Sequence, residues 1–217
     1  MTIDQSVSYR TVKAPASVES VINKSRFIGQ CWPIASEEEA VELLSQTRKR
    51  YWDATHNCYA YSVGRQGQIA RFSDDGEPGG TAGMPMMDAL RGVEVTDVLC
   101  VVTRYFGGVL LGTGGLVRAY SRSCAEAIRA AGIVRMTPCD LIKFDVPYQQ
   151  WAMFQQEARR YGAALTPEYG ERITCAAAVE AERTKEFLDA VYDQSAGSLT
   201  GQLIGREYRP LEAHEDR

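Results

Sequence analysis

Three carboxylates fall within four positions in "SDDGEPGGTAG": Asp74, Asp75 and Glu77, followed by Thr81 and a string of glycines. Carboxylates beside exposed backbone donors can hold Mg²⁺ and a phosphate, or position a water. Asp-Gly and Pro-Gly are equally strong turn formers, so the cluster reads as a site or as a turn. His56, in "DATHNCYAY", offers a general base or ligand, although so apolar a setting also suits a hydrogen-bonded structural imidazole. Cys58 lies two residues on, but sharing a strand face does not make a nucleophilic pair. Neither a Ser/His/Asp order nor an HExxH pair occurs, and no catalytic group stands out.

The second candidate is "VTRYFGGVLLGTGGLVRAYS", residues 102–121, in which Gly107, Gly108, Gly112, Gly114 and Gly115 occupy five of nine positions. A P-loop would need lysine where Thr113 stands, and a dinucleotide fingerprint would need a third glycine at a spacing absent here. What remains is a strand end, a flexible turn and a helix start whose free N–H groups and positive dipole end could take an anion. Positive φ at a sharp turn explains the glycines as well. Along the helix, Arg118, Arg122 and Arg129 fall within roughly 40° of one another at about 100° per residue. Such a row suits phosphate oxygens, while an internal Arg122–Glu126 pair would make it an ordinary solvated face.

The elements that must carry these residues are legible in outline. "SYRTV" and "ASVESVINKSRFIGQCWPI" read as strands, and "SEEEAVELLSQTRKRY" as a helix with a Ser cap, acids in its first turn and bases in its last. "HNCYAYSVG" and "QIARFS" read as a hairpin, and "AGMPMMDALRG" as a short helix. A buried strand "DVLCVVTRYF" then enters the glycine turn, and the long helix closes at Gly132. After "MTPC" the order becomes βαββαβ, that of a ferredoxin-like sandwich. The expected class is therefore α+β with two domains, 1–136 and 137–210, and a frayed tail at 211–217.

Six scattered cysteines in apolar segments, without a CxxC pair, predict reduced core residues and no zinc. No apolar run approaches the roughly 18 residues of a membrane span, and the amino terminus lacks a basic region followed by an apolar one, so a cytoplasmic protein is expected. The net charge of −4 is uneven: residues 1–135 hold 15 Lys and Arg against 14 Asp and Glu, and residues 136–217 hold 9 against 14. A polyanion would meet the first part.

Taken together, "KSRFIG" (24–29), "ATHNCYAY" (54–61), "DDGEPGGTAGMP" (74–85) and "VVTRYFGGVLLGTGGLVRAY" (101–120) resemble the Impact/YigZ family. The resemblance implies a first domain like the second domain of ribosomal protein S5, a fold shared with elongation factor G, and a ferredoxin-like second domain. It also implies a translation-linked role. It marks Arg26, Arg104, the five glycines and Arg118 as candidates for an anion or nucleic-acid surface, which Arg122 and Arg129 would extend. His56, Asp74, Asp75, Glu77 and Thr81 form a candidate polar cluster. The expected partner is RNA, the ribosome or a translation-related protein, with no membrane and no resident cofactor. The alternatives are an enzyme acting on a phosphorylated metabolite or nucleotide with Mg²⁺, with Arg104 on the phosphate, and a regulator that docks on protein alone.

Overall fold

The computed structural model describes residues 7–211; residues 1–6 and 212–217 lie outside the described residues, and the expected tail lies there beyond Leu211. The described chain clusters into two compact units, one of residues 9–135 and one of residues 136–211 with 7–8. Their class is mixed α+β, as expected, with five helices and antiparallel sheets.

The first unit runs β1 (Tyr9–Val12), β2 (Ala16–Ile22), β3 (Ser25–Pro33), α1 (Glu37–Arg50), β4 (His56–Val63), β5 (Ile69–Ser73), α2 (Gly83–Gly92), β6 (Val98–Tyr105) and α3 (Gly112–Ala131). Five strands form one sheet in the order β2-β3-β6-β4-β5. The β2–β3 hairpin turns on Asn23 and Lys24, both at positive φ (46° and 64°), which suits a two-residue turn between right-twisted strands. β6 is central, and its apolar run is buried on both sides. Cys100 and Val102 join the core under α2 and α3, whereas Leu99 and Val101 join Ala40 and Leu44 of α1. Arg104 therefore continues the α3 side of the strand, and Tyr105 the α1 side. Ser36 caps α1 by accepting from the Glu39 N–H at 3.3 Å, and the Glu39 carboxylate reaches back to the Ala35 N–H at 2.7 Å.

The second unit holds the remaining elements: β7 (Ile133–Val146), α4 (Tyr148–Arg160), β8 (Ala164–Tyr169), β9 (Ile173–Glu180), a one-turn helix at Ala181–Arg183, α5 (Thr184–Gln194) and β10 (Gln202–Leu211). β10 pairs β7, β7 pairs β9 and β9 pairs β8, so the βαββαβ order closes into the expected sandwich. Phe144, Phe154 and Phe187 meet in its core, with ring centroids 4.8–6.2 Å apart. The two units divide between residues 135 and 136, but the strand expected to start after "MTPC" already begins at Ile133 and runs through it, because Pro138 fits extended φ and removes only one donor. All six cysteines are unpaired and buried. Among the described residues no helix is long and apolar enough to cross a membrane.

Candidate functional site

The loop from β5 to α2 carries the carboxylates, and each finds a separate task. Asp74 Oδ1 accepts from the Ala82 and Gly83 N–H groups at 2.9 and 2.8 Å, and Oδ2 from the Gly80 N–H at 2.9 Å. It thus caps α2 from eight residues away, where Ala82 at the N-cap has no side chain to do so. Burial alone would raise its pKa, but the three N–H groups outweigh that and hold the carboxyl below the usual range. Asp75 takes the Asn57 N–H at 2.6 Å and the Arg48 guanidinium at 3.0 Å, while its carbonyl accepts from His56 Nδ1 at 2.8 Å. Thr81 donates to the Pro78 carbonyl at 2.6 Å and tightens the same loop.

Glu77 points inward, 7% exposed, and its Oε1 accepts from Arg104 Nη1 at 2.7 Å and from the Tyr120 hydroxyl at 2.6 Å. With His56 Nδ1 donating to Asp75, Nε2 faces Glu77 Oε1 at 3.8 Å. Arg104, 5% exposed, also donates to Ser25 Oγ at 3.3 Å and lies over the Phe27 and Phe106 rings; its Nε alone lacks a partner. Burial, then the neighbouring Cys58 and Glu77, push the Tyr120 phenol far above its ordinary value, so it remains a donor. Burial pushes the Cys58 thiol up to about 12, and its Sγ donates to the Asp74 carbonyl. That thiol is inert as a nucleophile.

His56, Asp75, Glu77 and Arg104 therefore meet in one network, tied to Asp74 and Thr81 through the loop. Their bonds run inward. The three carboxylates do not converge, and among the described residues no three His, Cys, Asp or Glu side chains are grouped to hold a metal ion. With both Asp74 oxygens filled by backbone donors and Asp75 divided between Asn57 and Arg48, the cluster does not fit Mg²⁺. Arg104, expected on a phosphate, is closed in because its strand position faces Tyr120 and Glu77.

The glycine turn divides in the same way. Gly107 donates to Ser25 Oγ at 3.3 Å, and a Cβ there would fall 2.0 Å from the Lys24 carbonyl oxygen, so this glycine anchors the loop. Gly108 and Gly112 have φ of 80° and 69° with open space around their Cα atoms. α3 begins at Gly112 with no side-chain cap and no acid in its first turn, which contains Gly114 and Gly115, so its first N–H groups have no capping side chain. Arg118, Arg122 and Arg129 are exposed on this helix. Arg122 holds Glu126 at 2.8 Å, whereas Arg118 has no carboxylate partner among the described residues. Arg118 and Arg122 line a groove of about 330 Å³ against Ile22 and Asn23 of the β2–β3 turn. Arg26 does not join them. It stands opposite Tyr105 on the α1 face, bound to Glu19 at 2.8 Å.

Nothing in the sequence marks Ser25 or Tyr120 as partners of this network: Ser25 is a short residue beside Arg26, and the apolar spacing of α3 places Tyr120 toward the core, where its ring packs edge-on against Phe27 at 5.5 Å.

The family model for the Impact N-terminal domain matches residues 23–128. IMPACT family member YvyE of Bacillus subtilis is 38% identical over 191 residues, 88% of each chain. IMPACT family member YigZ of Escherichia coli is 36% identical over 197 residues, covering 89% of this chain and 96% of that one. A solved structure titled "Crystal structure of an hypothetical protein" superposes with a TM-score of 0.57 at 34% identity, over 91% of this chain and 98% of the other.

Proposed function

The chain belongs to the Impact family, and we propose that its first unit binds RNA phosphates at the open start of α3, in a translation-associated role on RNA or a ribosomal surface. One observation carries this reading: the uncapped, acid-free N-terminus of α3 stands beside a groove walled by Arg118 and Arg122, of which Arg118 has no carboxylate partner among the described residues. Free N–H groups and the helix dipole favour an anion, and guanidinium forks suit phosphate oxygens. The translation link rests on what the family resemblance implies, a first domain of a fold shared with elongation factor G.

The test is anisotropy of labelled RNA titrated with the whole protein at several salt concentrations. Binding should fall steeply with salt, and Arg118→Ala with Arg122→Ala should weaken it for all sequences and reduce the salt slope by about 1 per lost phosphate contact. Unchanged affinity in the double variant would sink the reading.

A further inference from the structure

On the opposite side of the sheet from α3, α1 packs over β4 and β6 and ends in a cluster of cations and aromatic rings that the core does not use. Arg48, Lys49 and Arg50 form its last turn, a placement the helix dipole favours. The dipole gives no reason for Trp52, which follows two residues later and is 82% exposed. Its indole, with Val41, Arg48 and Lys49, borders a groove of about 410 Å³ along the outer flank of α1. Just beyond the helix end Arg50 lies over the Tyr51 ring at 5.5 Å. Arg48 is held by Asp75, but Lys49 and Arg50 have no carboxylate partner among the described residues.

We propose that this groove receives a base of single-stranded RNA, stacked on the Trp52 indole with its phosphate toward Lys49. The inference rests on the RNA reading above and adds to it a preference for unpaired strands. Its volume suits one nucleoside rather than a helix of a protein partner. A docked protein helix needs a continuous apolar stripe, whereas the exposed apolar groups at this groove are only Val41 and Trp52, beside the cations. A flat aromatic face next to unpaired positive charge matches a ligand that is itself flat and negatively charged. A duplex keeps its bases stacked and out of reach.

The experiment compares three probes of equal length on the intact protein: an oligouridine, an abasic phosphodiester strand of the same charge and a blunt RNA duplex. Trp52→Ala should lower oligouridine affinity about five- to a hundredfold, the range for loss of one stacked base. Trp52→Phe should recover most of it, and abasic and duplex binding should not change. Equal losses on the abasic strand, or no loss on oligouridine, would overturn the stacking groove. If duplex and abasic binding still respond to the Arg118 and Arg122 substitutions in that case, the phosphate reading stands without it. If no probe binds wild-type protein at low salt, both readings fall together. Circular dichroism confirms that the Trp52 variants are folded, as a side chain this exposed allows.

Discussion

The His56–Glu77–Arg104 network and the Arg118 face of α3 are built from the same residue types and use them in opposite ways. In the network the charges answer one another: Glu77 Oε1 takes both Arg104 and Tyr120, and within the Arg104 guanidinium only the buried Nε lacks a partner. On α3 the helix start has no side-chain cap and Arg118 no carboxylate partner among the described residues. The difference teaches that a signature residue is not by itself a ligand contact: charges buried together specify a loop, and charges left unanswered at the surface are available to something else. The two regions should therefore respond to substitution in opposite ways, the first in stability and the second in binding.

The largest effect should come from Glu77→Ala, which strands the Arg104 guanidinium in a buried setting and removes the acceptor of Tyr120. Loss of about 3–5 kcal/mol is expected, the usual cost of an uncompensated buried charge, read from the urea midpoint. A loss below about 1 kcal/mol would mean that the network is not what holds the loop. Asp74→Ala comes next, at about 2–3 kcal/mol, since three N–H groups at the start of α2 lose one charged acceptor. pH sharpens this case. The folded pKa of Asp74 lies below its unfolded value of about 3.9, so its stabilisation is fully present above that value and is lost as pH falls through the folded pKa. The stability gap between wild type and Asp74→Asn should shrink through that window on acidification and stay constant above about pH 5.

Much of this scaffold was legible because it is local. The Ser36 cap, the period of α1, the glycine stop at Gly132 and the βαββαβ order all depend on residues a few positions apart. Even the common face of Arg118, Arg122 and Arg129 follows from helical spacing alone. What was not legible depends on pairing across the sheet. His56 and Phe27 flank Arg104 in register, and nothing in "VVTRYF" tells whether that arginine emerges into solvent or turns toward Tyr120, sixteen residues later. The cap on α2 was hidden for a related reason, because Asp74 lies outside the few positions in which caps are sought. Trp52 was missed because a tryptophan just beyond a helix reads as core, and only its exposure distinguishes it.

The glycine turn allows the two regions to be compared within one loop. Gly107→Ala would drive its Cβ into the Lys24 carbonyl, a backbone group that cannot swing aside, and should cost about 2 kcal/mol or more. Gly108→Ala meets open space and bears only the strain of positive φ, about 1 kcal/mol. Thermal or urea unfolding should rank them in that order. A reversed ranking would place the loop's anchor elsewhere than at Ser25 and Lys24.

The smallest change in stability should be that of Arg118→Ala, because the guanidinium has no carboxylate partner among the described residues to give up. Surface substitutions of this kind remain within about 0.5 kcal/mol. Lysine at the same position keeps the charge but loses the fork, so Arg118→Lys should retain the salt dependence of RNA binding while losing part of the affinity. Alanine should lose both, with the urea midpoint unchanged in either variant. An unfolding midpoint that moves while RNA binding does not would assign Arg118 to the scaffold alongside Arg104, and the contrast between the two regions would disappear.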